Sequence, residues 1–126
     1  MSQKRQPNVL VVFGSRGLEP SFDQLDALSY VHDVPFDTII SGGARGVDTR
    51  AELWAKSKDK RFRRYDADWE GNGRAAGYLR NTVMAERATH GICVWDGESR
   101  GTKHMLDEMR RLGKPVAVYI TGSGVA

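Results

Sequence analysis

Cysteine is almost absent from this sequence, whose single example, Cys93, lies within the apolar segment GICVW. One cysteine excludes a disulfide framework and a metal cluster built from several thiolates, and it favours a reducing compartment. The three histidines show no ligand spacing with a cysteine or carboxylate partner, so no protein-bound metal is predicted. We therefore expect a cytoplasmic protein.

Long apolar runs are also missing. None reaches the roughly 18 to 20 residues that a membrane span needs, and the basic opening segment MSQKRQPN lacks the apolar core of a signal peptide. We expect a soluble protein with no membrane partner. A chain of 126 residues suits one domain, predicted here over 8–121, with a flexible arm at 1–7 and a flexible tail at 122–126.

Two familiar phosphate-binding motifs are not found either. A Walker A loop needs Gly-Lys-Ser/Thr, whereas Gly46 is followed by Val47 and Asp48. A dinucleotide fingerprint needs Gly-x-Gly-x-x-Gly after the first strand, and GSRG at 14–17 lacks the middle glycine. P-loop hydrolysis of ATP and ordinary NAD-dependent dehydrogenation are therefore disfavoured.

The chain does contain short apolar runs that alternate with segments of helical period. Strands are predicted at 8–14, 37–41, 61–67, 90–96 and 115–120. The intervening segments are predicted to be helices, the first of them over 21–31 with a capping box formed by Ser21 and Gln24. Strands joined by crossover helices predict an α/β three-layer sandwich with a mostly parallel sheet, and right-handed crossovers favour the strand order 3-2-1-4-5.

Three unusual loops follow the first, second and fourth predicted strands. In an open parallel sheet, ligands lie beyond the carboxyl ends of the strands, where the winding direction reverses. Two of the loops lead into helix starts, whose free amides and dipole favour an anion; glycines that only supply turns are the alternative. The loop residues predicted to bind a ligand are Gly14, Ser15, Arg16, Ser41, Gly42, Gly43, Gly46, Asp48, Asp96, Ser99, Gly101 and Thr102.

The helix predicted after Gly73 carries an arginine and an asparagine beside a glycine. Gly77, Arg80, Asn81 and Met84 share one helical stripe, and we expect a separate stripe of Ala76, Leu79 and Val83 to face the sheet. Arginine can clamp a phosphate and asparagine can read a base or ribose edge, so Arg80 and Asn81 are predicted ligand contacts. A surface stripe with Arg80 paired to Glu86 or Asp68 is the alternative.

Two further features have both a functional and a structural interpretation. Trp69, before the flexible segment EGNG, is predicted to stack on a base as part of a lid, or else to cover the core. The basic segment KSKDKRFRR at 56–64 suits contact with nucleic acid, or else a solvated helix end followed by an edge strand that Arg61, Arg63 and Arg64 protect from pairing.

The succession of GSR, SGGARGVD, W-x-x-x-G-x-x-A-G-x-x-R-N-x-x-M and DGESRGT over residues 9–120 resembles the SLOG superfamily. The resemblance is to its small YspA/YpsA-related branch; the superfamily also contains the Lonely-guy phosphoribohydrolases and the DNA-processing protein DprA. It implies a Rossmann-like fold that binds a nucleotide or a nucleotide-derived ligand. It also implies roles for the matching positions Gly42, Gly43, Arg80, Asn81, Gly101 and Thr102.

One departure from the hydrolase branch bears on catalysis. That branch resembles Pro-Gly-Gly-x-Gly-Thr-x-x-Glu, whereas Met105 stands at the glutamate position here. A thioether cannot transfer a proton as a carboxylate does. Asp48, Asp96 and Glu98, with Arg80 as the phosphate holder, are the candidates for catalysis if the chain is an enzyme, although each acid suits a helix cap or a turn equally well.

Three functions remain open on the sequence. The leading hypothesis is a nucleotide-binding sensor, carrier or sequestering protein without a certain cofactor, although Mg²⁺ could accompany the ligand phosphates. The second is a hydrolase of an N-glycosidic bond or a phosphate ester in a nucleotide derivative. The third is a protein that binds single-stranded nucleic acid. The resemblance to the hydrolases also implies a homodimer.

Overall fold

A computed structural model describes residues 8–121, apart from the side chain of Arg74. The predicted arm at 1–7 and tail at 122–126 lie outside these residues. The strands are β1 (Val9–Gly14), β2 (Thr38–Gly42), β3 (Arg61–Tyr65), β4 (His90–Trp95) and β5 (Val116–Ile120). The helices are α1 (Phe22–Ser29), α2 (Val47–Ser57), α3 (Trp69–Asn72), α4 (Ala76–Arg87) and α5 (Arg100–Arg111), with a 3₁₀ turn over Gly73–Ala75.

The five strands form one parallel sheet in the order β3-β2-β1-β4-β5. This confirms the predicted strand order and places the reversal of winding between β1 and β4. The chain therefore has the α/β, Rossmann-like architecture that the alternation of strands and helices predicts. Since β3 lies at one edge of this sheet, its arginines occupy the position expected for residues that guard an edge.

Two apolar clusters pack on opposite faces of the sheet. Because side chains alternate along a strand, Leu10 and Val12 of β1 join one cluster while Val11 and Phe13 join the other. The first cluster contains residues of α1 and α2, including Trp54, which is fully buried as its helical spacing predicted. The second contains residues of α4 and α5.

The helix starts follow local sequence signals. Ser21 caps α1: its Oγ accepts a hydrogen bond from the Gln24 amide, and the Ser21 amide donates to Gln24 Oε1. This confirms the capping box. The helix ends at Ser29, two residues before its predicted limit, since the Tyr30 and Val31 amides already make turn bonds to the Ala27 and Leu28 carbonyls.

The predicted orientation of α4 is wrong for two of its three residues. Ala76 is buried as expected, but Leu79 and Val83 are 51% and 44% exposed. Asn81 and Met84 are buried instead. The physical reason is that the polar groups on the buried face have partners: Asn81 donates to the Gly101 carbonyl and Arg80 to the Tyr65 carbonyl. These hydrogen bonds and the small residues of the helix therefore stabilise this orientation more than the burial of Leu79 and Val83 would.

Candidate functional site

A cleft of about 240 Å³ lies beyond the carboxyl end of β1, where the winding of the sheet reverses. Its walls come from the end of β1, from the loops after β1, β2 and β4, and from residues of α2, α3, α4 and α5. The lining residues are Phe13, Gly14, Arg16, Ala44, Asp48, Trp69, Gly77, Tyr78, Arg80, Asn81, Met84, Ser99, Gly101, Thr102 and Met105. Two other hollows, of about 600 and 310 Å³, adjoin it and share Arg16 and Ala44 with it; "the cleft" denotes the volume of about 240 Å³ alone.

Arg80 reaches the cleft from the second turn of α4. Its Nε donates to Asn81 Oδ1 at 3.1 Å and its Nη1 to the Tyr65 carbonyl at 3.2 Å. A Cβ at residue 42 would collide with the Arg80 guanidinium, so a side chain there would force the arginine to move. Two bonds to the protein hold the guanidinium in place and leave part of its donor capacity for a ligand.

Asp48 is the carboxylate of the cleft. It is the second residue of α2, only 6% exposed, and its Oδ2 accepts a hydrogen bond from the Ala44 amide at 3.2 Å. Burial raises the pKa of Asp48 to about 6, although hydrogen bonds and the positive charges of Arg80 and Arg16 oppose the shift. With two arginines beside a carboxylate that protonates near pH 6, the cleft has a net positive charge suited to an anion.

The starts of α2 and α5 both reach the cleft, but they are capped differently. Gly46, the N-cap of α2, provides no side-chain hydrogen bond. At α5, the Ser99 hydroxyl accepts from the Thr102 amide at 3.4 Å. Before it, Asp96 Oδ1 accepts from the amides of Glu98 and Ser99, each at 2.8 Å. The α2 start therefore presents the less occupied set of amides.

Asn81 joins the two walls formed by α4 and α5. Its Nδ2 donates to the Gly101 carbonyl at 3.2 Å and lies 3.3 Å from His104 Nδ1, while its Oδ1 accepts from Arg80. The side chain is buried, and these contacts use both ends of the amide. In this arrangement Asn81 positions Arg80 and the first turn of α5.

The structure brings most of the predicted ligand contacts together. Those lining the cleft are Gly14, Arg16, Asp48, Trp69, Arg80, Asn81, Ser99, Gly101 and Thr102. Gly43 lines only the adjoining hollows. Arg80 bonds neither of the predicted alternative partners, Glu86 and Asp68.

The remaining predicted residues are not among those lining the cleft, and they serve the loops around it. The Ser15 Oγ accepts from the Asp96 amide at 3.0 Å, and the Ser41 Oγ donates to the Val12 carbonyl. Gly46 has φ +74°, and a Cβ there would collide with the Arg16 carbonyl. Asp96 closes a turn, and Glu98 is exposed.

Sequence reasoning missed several lining residues: Phe13, Ala44, Tyr78 and, as wall residues, Met84 and Met105. Ala44 lies inside the predicted glycine loop, so the predicted ligand contacts next to it in the sequence could have indicated its place. Tyr78 follows Gly77 directly, but its place depends on the rotation of α4. Met105 does line the cleft, so a thioether stands in the wall where the resembling hydrolases have a glutamate.

Within residues 8–121, no group of three histidine, cysteine or carboxylate side chains is placed to hold a metal ion. Over the same range, every helix is too short or too polar to cross a bilayer.

Comparison with known proteins identifies the family. The model of the YspA, cpYpsA-related SLOG family (YAcAr) matches residues 8–71. The Gene 61 protein of Mycobacterium phage D29 is 35% identical over an alignment of 116 residues, which covers 85% of this chain and 92% of the phage protein. The search of solved structures gave no match. The fold, the glycine loops and these two matches together show that the chain belongs to the YspA, cpYpsA-related SLOG family.

Proposed function

We propose that this protein binds a nucleotide or a nucleotide-derived ligand, such as a nucleoside phosphate or ADP-ribose, in the cleft. It would act as a sensor, a carrier or a sequestering protein. Membership of a SLOG family is compatible with such a ligand. The observation that carries the proposal is the convergence of Arg16, Arg80 and the uncapped start of α2 on one cleft.

The phosphate is the part of the ligand that these groups suit. Arginine presents several N–H donors in a planar fork that matches two phosphate oxygens, and burial strengthens such a contact. Arg80 is already held by Asn81 and Tyr65, so little side-chain entropy remains to be lost on binding. If Mg²⁺ takes part, the ligand phosphates would bring it, since such an ion needs few protein groups.

Replacing Arg80 by alanine tests the proposal most directly. We expect the affinity for a nucleoside monophosphate, measured by titration calorimetry, to fall roughly tenfold to a hundredfold because a charge-assisted contact is lost. Arg87→Ala is the matched control, because this exposed arginine lies in the last turn of the same helix. Equal affinities for both variants and the parent protein would refute a phosphate site at Arg80.

A hydrolase is the second candidate, favoured by one observation. The Asp48 carboxyl lines the same cleft as Arg80 and, with a pKa raised to about 6 chiefly by burial, can exchange a proton near neutral pH. Incubation with nucleoside monophosphates, NAD, ADP-ribose and cyclic dinucleotides, followed by mass spectrometry, separates the two candidates. Unchanged ligand together with thermal stabilisation identifies a binder, whereas a product that Asp48→Asn no longer forms identifies an enzyme.

The nucleic-acid hypothesis draws less support from the basic segment 56–64. Lys56 pairs with Glu52, Lys58 with Asp26, and Arg64 with Asp66. Charges engaged in this way release fewer counterions from a phosphate backbone. Binding to single-stranded DNA that weakens steeply with salt would restore the hypothesis.

A homodimer is a further proposal from the family resemblance, and the exposed Leu79 and Val83 of α4 offer an apolar surface for it.

A further inference from the structure

The residues that line the cleft are of two chemical kinds. Arg16, Asp48 and Arg80 provide its charged groups, whereas Trp69 and Tyr78 contribute aromatic side chains. Arg80 and Trp69 also line one adjoining hollow together, so one small molecule can touch both side chains. A ligand that only carried a phosphate would leave the aromatic surface in water.

Trp69 is held in place by its own helical turn and by α4. Asp68 caps α3, and its Oδ1 accepts from the Gly71 amide at 2.9 Å. The indole lies on α4 at Gly77: its Cη2 is 3.3 Å from the position that a Cβ at residue 77 would take. Because Gly77 has no side chain, the ring can rest against the helix.

Trp69 is much more exposed than Trp54, a tryptophan of the core. Trp54 is fully buried and its Nε1 donates to Asp26, whereas Trp69 is 55% exposed. A ring that mainly covered the core would be expected to lose much more of its surface to the protein. The Trp69 indole instead keeps a large area available at the cleft.

We infer that the exposed face of Trp69 is a stacking platform for the base of a nucleoside phosphate whose phosphate contacts Arg80. This inference rests on the proposed function and deepens it, because it names the residue that binds the base of the ligand. Stacking on an aromatic side chain tolerates every base, because each base has a π face. The platform therefore selects a nucleotide over a sugar phosphate without selecting one base.

The test compares adenosine 5′-monophosphate with ribose 5-phosphate, which lacks the base. We expect the parent protein to bind the nucleotide roughly tenfold more tightly in calorimetry, since base stacking is lost with the sugar phosphate. Trp69→Ala should remove this preference and leave the affinity for ribose 5-phosphate unchanged. Tyr30→Ala is the matched control, because Tyr30 is also an exposed aromatic side chain but does not line the cleft.

A second variant separates stacking from a structural role. Trp69→Phe should retain most of the preference for the nucleotide, whereas the quenching of tryptophan fluorescence by the base should disappear with the indole. If Trp69→Ala weakens both ligands equally, or neither, the platform is refuted while phosphate binding stands. If the parent protein binds neither compound, the proposed function is refuted as well.

Discussion

The loops after β2 and β4 look alike in sequence, yet they prepare the following helices in opposite ways. In SGGARGVD at 41–48, no side chain caps α2, and the carboxylate of the loop is buried. In WDGESRGT at 95–102, Asp96 and Ser99 take up the amides of their own loop before a ligand arrives. Glycine and small polar residues therefore do not by themselves identify an open anion site; the capping of each helix start decides it.

The two carboxylates show the same contrast in their acidity. Burial raises the pKa of Asp48 to about 6. Hydrogen bonds from the amides of Ser99 and Glu98 hold the pKa of Asp96 below its usual value. Asp48 thus opposes folding when ionised, whereas Asp96 helps to hold its loop in the ionised form.

The largest expected effect comes from removing the glycine that opens α2. Gly46→Ala places a side chain at φ +74° and against the Arg16 and Leu18 carbonyls, so we expect a loss of about 4 kcal/mol in the free energy of unfolding. Gly101 lies in the first turn of α5, and an added Cβ there meets open space. Gly101→Ala should therefore leave the free energy of unfolding unchanged or raise it slightly. Urea denaturation measures both, and equal losses would contradict the difference between the loops.

The second largest effect is the pH dependence of stability that Asp48 produces. The folded protein binds a proton between pH about 6 and about 4 that the unfolded chain does not bind, so the contribution of Asp48 to stability rises as pH falls through this window. Relative to Asp48→Asn, which does not titrate, the parent protein should gain up to about 3 kcal/mol between pH 7 and pH 4. Denaturation of both proteins across this range measures the difference; parallel pH profiles would exclude the shift.

The smallest effect concerns the cap of α5. Ser99→Ala removes the acceptor of the Thr102 amide, so we expect a loss of about 1 kcal/mol in the free energy of unfolding. Thr49→Ala removes an exposed hydroxyl from the first turn of α2, a helix without a side-chain cap; this hydroxyl makes a long bond of 3.4 Å to the Ala44 carbonyl, so we expect a smaller loss than in Ser99→Ala. Thermal denaturation of the two variants compares the helix starts directly. A larger loss in Thr49→Ala would contradict the conclusion that a side chain caps α5 and none caps α2.

Much of the fold could be predicted because its signals are local. The continuous apolar run of β1, the capping box at Ser21 and the glycines at the end of β2 each reflect the chemistry of neighbouring residues. The strand order followed from crossover handedness, which holds for parallel sheets in general.

The site was predictable only in part. Arg80 was identifiable from its stripe on α4, but the rotation of the helix depends on the distant carbonyls of Tyr65 and Gly101. The raised pKa of Asp48 comes chiefly from its burial in the folded protein, which no spacing in the sequence encodes. Distances between segments far apart in the chain decided both features.

The placement of Arg80 over Gly42 has an evolutionary consequence. As long as an arginine occupies position 80, any side chain at position 42 would displace it. A lineage that loses the arginine is released from that restriction, and position 42 can then accept larger residues. Substitutions at the two positions should therefore be correlated among homologous proteins, although the positions lie 38 apart in the sequence numbering.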